Sequence, residues 1–222
     1  MDDITKLWEN FTLIKEEEDT IVIDNQKPIL TVDNIQLCAV GKLHPSKRIT
    51  VEAFASVMKQ VWKIHNSTRI ETAGLNIYVI AFKTMAEKIR VFSLGPWTFD
   101  KSLLILVPTT AANKPLDIDI SLCAFWVQIH YITFECMTKD MAKFLGARLG
   151  EVEEVDGMSS YDWVRPFLWV RVKINVLKPL RRGLKVKTSD GKDIWCPLRY
   201  ERLPDFCYGC GCVGHSIREY EK

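Results

Sequence analysis

The apolar positions of this chain change their spacing several times, and each spacing predicts an element. Residues 37–43 are an apolar run ending at His44-Pro45, the pattern of a buried strand and a turn. Thr50 stands where a helix N-cap belongs. Phe54, Val57, Met58, Val61 and Trp62 recur at helical spacing behind it, so an amphipathic helix is expected over about 51–64. Residues 69–72 and 76–82 read as strands joined through Ala73-Gly74. Residues 85–94 read as a second helix, with Ile89, Val91 and Phe92 toward its inner face and Gly95-Pro96 as its stop. Residues 97–107 read as a last strand, broken by a turn near Asp100. The order β-α-β-β-α-β folds naturally as a split βαβ of the ferredoxin-like kind, a four-stranded antiparallel sheet with two helices on one face.

Residues 108–115 have the composition of a linker, and a second block follows. Strands are expected at 125–129, 149–155, 167–176, 184–188 and 194–200, with a short helix at 138–145 stopped by Gly146 and a polar loop at 156–160. The strand 167–176 alternates cleanly. Arg171 and Lys173 fall on one side and Val170, Val172 and Ile174 on the other, so one wet and one buried face are expected. Ser189-Asp190-Gly191 is a hairpin turn. No internal repeat is apparent. The fold class is therefore α+β, with four segments: an acidic N-terminal segment at 1–33 (its residues 20–23 strand-like), a split βαβ domain at 34–110, a strand-rich basic block at 111–203 packing on it, and a tail at 204–222.

Charge sharpens this division. The net charge is only +2, but residues 1–33 hold 3 basic and 9 acidic side chains, and residues 164–222 hold 13 and 6. The basic third points to a polyanionic partner, while the acidic head reads as a solvated segment. No apolar run approaches the roughly 20 residues of a membrane span, and the acidic start lacks the order of a signal peptide, so an intracellular protein is expected, nucleus and cytoplasm undistinguished. Cys38, Cys123 and Cys136 stand singly in apolar surroundings and read as buried small hydrophobes.

The tail carries the sharpest motif. Cys207, Cys210 and His215 follow the spacing of a C-x2-C-x4-H-x4-C zinc knuckle, and the fourth ligand position holds Tyr220. A two-residue gap lets one tight turn present two sulfurs, and Gly209, Gly211 and Gly214 permit the turns without side-chain clash. A phenol, with a reference pKa near ~10 against ~8.5 for a thiol, is a poor substitute for cysteine. One zinc, weakly held or lost, is therefore the expected cofactor, with Glu219, Glu221, water or Cys212 as other sources for the fourth bond.

These residues, together with Gly95-Pro96-Trp97-Thr98-Phe99-Asp100, Trp126-Val127-Gln128-Ile129-His130 and Lys178-Pro179-Leu180-Arg181-Arg182-Gly183, resemble plant proteins related to the first open reading frame of LINE-type retrotransposons. The resemblance covers about residues 35–220. It implies an RNA-recognition-motif-like domain, a C-terminal CCHC zinc knuckle with Cys207, Cys210 and His215 as metal ligands, and nucleic-acid binding. The first sheet is a doubtful base reader on its residues alone. Its first strand has no aromatic side chain, and Tyr78 and Phe82 fall on the buried side.

The basic strip is the stronger candidate interface. Arg171, Lys173, Lys178, Arg181, Arg182, Lys185 and Lys187 fall within residues 171–187 without one acid. They suit phosphate contact, with Tyr208 and Val213 of the knuckle as a small platform for unpaired bases. Trp62, Trp97, Trp126 and Trp169 read as core. No phosphate loop, nucleophile elbow or carboxylate pair is present, so no enzyme is expected. The expected function is binding of single-stranded RNA or DNA, with no membrane or small-molecule partner. The alternative is a protein-interaction or self-assembly module that has lost zinc and nucleic acid.

Overall fold

The computed structural model describes residues 32–46, 48–64, 67–109, 118–156 and 166–220, and residues 32–222 form one compact unit. The expected strand at 20–23 and most of the 108–115 linker and 156–160 loop lie outside the described residues.

A short helix α1 (Val32–Gln36) leads into β1 (Cys38–His44) and α2 (Val51–Trp62). Strands β2 (Arg69–Gly74) and β3 (Ile77–Ala81), helix α3 (Met85–Ser93), and strands β4 (Trp97–Phe99) and β5 (Ser102–Pro108) complete the first half. Thr50 caps α2 as expected, its hydroxyl accepting from the Ala53 amide, and Thr84 does the same for α3 with the Glu87 amide. Such caps contribute about 1 kcal/mol each. The break near Asp100 is a two-residue hairpin, with Asp100 and Lys101 both at positive φ.

The strands lie in the order β2-β3-β1-β5-β4, antiparallel throughout. This is the split βαβ, with a short edge strand added. One face packs on the helices: Ala39, Leu43, Tyr78, Ile80 and Leu104 meet Phe54, Met58, Trp62 and Val91. Tyr78 stacks on Phe54 at 4.0 Å, so Tyr78 and Phe82 are buried as the sequence predicts.

The second half runs β6 (Leu122–His130), α4 (Lys139–Gly146, capped by Thr138), β7 (Glu151–Val155), β8 (Phe167–Asn175), β9 (Gly183–Lys187) and β10 (Asp193–Tyr200). Its sheet order is β7-β8-β6-β10-β9, which repeats the order of the first sheet strand for strand. The expectation of no internal repeat therefore fails at the level of topology. Where the first half has α3, the second has only residues 176–182, too few for a crossover helix and interrupted by Pro179. Helix α4 sits tightly on β7 and β8, since a Cβ at Gly146 would lie 2.9 Å from Val170 and 3.0 Å from Val152.

The missing helix leaves apolar surface, and other parts of the chain fill it. Phe125, Val127, Val170 and Val172 share one core with Leu180, with Val213 of the tail, and with Val40, Leu103 and Ile105 from the outer face of the first sheet. That outer face is thus buried, which removes it as a base-reading surface. Two arginines join the halves at the C-terminus of α3, where carbonyls lack helical partners. Arg171 donates to the Phe92, Ser93 and Gly95 carbonyls, and Arg202 donates to Leu94 while lying over the Trp97 ring. Among the described residues no helix is long and apolar enough to cross a membrane.

Candidate metal centre and nucleic-acid interface

The tail leaves β10 and turns back on itself. Phe206 and Val213 form an antiparallel bridge, the Cys207 amide donates to the Cys212 carbonyl, and the Gly211 amide donates back to Cys207. Gly211 and Gly214 take positive φ, the conformation for which the sequence supplies glycine. The Cys207 and Cys210 sulfurs and a His215 ring nitrogen lie within 4.8 Å of one another, with Cys210 Sγ 3.3 Å from His215 Nε2. The Cys212 amide donates to Cys210 Sγ at 3.4 Å, which fixes that sulfur within the turn. Two sulfurs and an imidazole gathered in this way fit three corners of a zinc tetrahedron. Among the described residues this is the group assembled for a metal; Cys212 is not part of it. Tyr220 closes a one-turn helix α5 (Ile217–Tyr220), and its side chain lies outside the described residues.

The knuckle is seated on the body of the protein. The Leu180 amide donates to the Gly211 carbonyl at 2.7 Å, Arg182 donates to the Tyr208 carbonyl at 3.0 Å, and Gly214 closes against Pro45. His44 makes a hydrogen bond with the Val213 backbone; burial is the main cause that pushes its pKa down, and Lys42 adds to it. Val213 is 4% exposed and cannot take a base, which corrects its expected role as a platform. Tyr208 is 72% exposed and edge-on to Phe206, so that half of the expected platform is presented to solvent.

The basic strip does not form one surface. Arg171 is 5% exposed and held by Glu153 and the α3 carbonyls, so it serves the junction of the two halves and is withdrawn from any polyanion. Lys173 is half-exposed and paired with Glu153 at 3.1 Å, and Glu151 lies 4.0 Å away. Lys178, Arg181, Arg182, Lys185 and Lys187 are exposed, although Lys185 also pairs with Asp193 at 2.9 Å.

Three of these residues meet in a groove of about 470 Å³ along the edge strand β9. Arg181, Lys185 and Lys187 line it with Arg148 and Phe144, and no carboxylate lines it. The Arg148 guanidinium lies over the Phe144 ring at 5.1 Å, leaving cation and ring side by side at the mouth. The sequence reading missed Arg148 and Phe144, which lie about twenty-five residues before the strip begins. The signal was present: Phe144 falls off the inner stripe of α4 formed by Ala142 and Leu145, and it is 55% exposed.

Trp62 is core as expected, but among the described residues Trp126 and Trp169 are not part of the two apolar clusters and stand half-buried on the other face of the second sheet. The expectation that they are core is therefore corrected. Cys123 is buried as predicted, and its thiol is pushed up to about 12, chiefly by desolvation.

Comparison with known proteins agrees with the tail. A zinc knuckle family model matches residues 174–222, which takes in the strands that carry the knuckle as well as the knuckle itself. No curated protein matches the chain. Among solved structures, a complex of Sxl-lethal protein with RNA is similar over 75% of this chain and 98% of that one, at 13% identity and a TM-score of 0.29. The α+β assignment rests on the strand order described above.

Proposed function

We propose that this chain is a non-enzymatic nucleic-acid-binding protein of plant retrotransposon origin, acting on single-stranded RNA or DNA. The observation that carries the proposal is the groove beside β9, where Arg148, Arg181, Lys185 and Lys187 converge without an opposing carboxylate in its lining. Four cations at one edge suit the phosphates of one strand, and the stacked Arg148–Phe144 pair suits a base beside them. The seated knuckle supports the same reading. Cys207, Cys210 and His215 would hold a zinc ion there. The ion would supply structural cross-linking of the turn, fixing the exposed Tyr208 relative to the groove.

The mechanism is charge neutralisation with limited stacking, so sequence preference is weak and salt dependence strong. For about four phosphate contacts to a single strand, log K should fall with log salt at a slope of about −3, a loss of about fiftyfold between 50 and 200 mM. Fluorescence anisotropy with single-stranded and duplex RNA and DNA at both salt concentrations measures this. Binding that ignores salt, or self-association that persists after nuclease treatment with no RNA bound, would overturn the reading in favour of an assembly module.

A further inference from the structure

Strand β9 is an edge of the second sheet, bonded on one side to β10 and on the other to no strand among the described residues. The register shows which of its backbone groups are left over. Leu198 donates to the Arg182 carbonyl and Thr188 donates to the Lys192 carbonyl, so the even-numbered residues from 182 to 188 face β10. In an antiparallel ladder the residues between them turn their N–H and C=O outward. Those residues are Gly183, Lys185 and Lys187, and no hydrogen bond among the described residues uses their main-chain groups. Helix α4 stands beside this edge. Its Phe144 and Leu145 line the groove together with Leu184 and Val186, whose side chains turn toward the core. Lys185 and Lys187 alternate to the opposite face and are exposed. One flank is therefore apolar and the other cationic. Arg148 and Arg181 add to the charge, and Asp193 meets Lys185 from outside the lining.

Phosphates account for the cations of this groove but not for its edge. A phosphate accepts hydrogen bonds and donates none, so it leaves the carbonyls of Gly183, Lys185 and Lys187 to water. An extended main chain donates and accepts in alternation and meets both kinds of group. Its side chains alternate as well. Those on one face fall against Phe144, Leu184 and Val186, where aliphatic groups fit, and those on the other fall beside Lys185 and Lys187, where carboxylates fit. The β9 edge of a second copy suits the site poorly. It would set lysines against the same cations, and lysines along an edge act against such pairing.

We propose that the β9 edge binds an extended acidic peptide of a partner protein, which adds as one more strand to the second sheet and pairs with Gly183, Lys185 and Lys187. The segment recognised alternates aspartate or glutamate with aliphatic residues over about the length of β9, which is 5 residues. Peptide and nucleic acid draw on the same cations, so each excludes the other and the partner controls access to the groove. Only this competition rests on the nucleic-acid reading above; the strand pairing stands on the free edge and its two unlike flanks.

The test uses the full chain and a labelled synthetic peptide of about nine residues alternating glutamate with valine, beside a lysine–valine peptide of the same length. Anisotropy measures affinity, and amide hydrogen exchange read residue by residue by NMR locates the contact. The acidic peptide is expected to bind more than about tenfold tighter than the basic one. It should protect the amides of Lys185 and Lys187 and change little at Leu184 and Val186, which already face β10. Lys185→Pro removes one outward donor at an edge position that tolerates proline. It is expected to weaken the peptide about two- to tenfold beyond Lys185→Ala, the effect of one lost hydrogen bond. The acidic peptide should also displace single-stranded RNA; both bound to one chain overturns the competition. Equal affinity for the two peptides, or binding that leaves the Lys185 and Lys187 amides unprotected, overturns the strand pairing. Protection of those amides that grows with protein concentration in the absence of peptide assigns the edge to a second copy and overturns the proposal. RNA binding without peptide binding overturns the proposal and keeps the nucleic-acid reading. Peptide binding without RNA binding overturns that reading and keeps the strand pairing.

Discussion

Single residues decide whether the knuckle is a metal site and whether the halves stay together. Replacing Tyr220 with cysteine supplies the thiolate that the spacing calls for, and zinc affinity measured by chelator competition should rise on the order of tenfold or more. Even outer-shell partners are worth that much; an unchanged affinity would show that position 220 does not reach the metal. Arg171→Leu should lower stability by about 3 kcal/mol in denaturant unfolding, because two α3 carbonyls, the Gly95 carbonyl just beyond them and Glu153 lose a buried cation. The same change should leave the salt slope of RNA binding unaltered, whereas a phosphate-contacting arginine would reduce it. His44 and His130 both titrate below the usual histidine value, first through burial and then through Lys42 and Arg199 respectively. A depressed folded-state pKa means that the unfolded chain takes the proton more readily. Their contribution to stability is therefore complete above about pH 6.5 and is lost as pH falls below it. Thermal melts of the zinc-free protein from pH 8 to 5 should show this decline, and His44→Gln with His130→Gln should flatten it.

At the level of elements, the edge strand β9 carries the charge that the whole strip was expected to carry. Lys187→Ala and Arg148→Ala should each make the salt slope shallower by somewhat less than one, weakening binding alike for all sequences. Lys173→Ala should change little, since that side chain is engaged with Glu153. The alternation of β8 was legible, and its two faces are those the pattern predicts. What the pattern could not give is the covering of the supposedly wet face: the C-terminus of α3, some eighty residues earlier, lies over Arg171. Alternation states that a strand has two unlike faces, and long-range packing decides what each one meets.

For the molecule as a whole, the seating of the knuckle changes what zinc is needed for. An isolated knuckle draws its folding free energy from the metal. Here Val213 is in the main core, Phe206 packs against it, and Leu180 and Arg182 bond to the knuckle backbone. Burying a side chain the size of valine contributes about 1.5–3 kcal/mol before any metal binds. Chelation should therefore lower the melting temperature by only a few degrees. The amides of Cys207, Gly211 and Gly214 should stay protected from hydrogen exchange; full exchange at all three after chelation would show that the scaffold does not hold the turn.

The amino-acid sequence alone determined what depends on near neighbours. The helix beginning after Thr50, a short helix near 138–145, the split βαβ order, the turn at Asp100 and the ligand spacing of Cys207, Cys210 and His215 all follow from caps, periods and gaps of a few residues. Only the tertiary structure decided the rest. It paired the second set of strands in the order of the first, although no shared motif and no second helix marked the repeat. It buried Arg171 and Val213, and brought Arg148 and Phe144 to Lys187. The physical reason is common to all of these: a side chain's period fixes the face on which it lies, whereas its burial depends on which distant segment has apolar surface or bare carbonyls to cover.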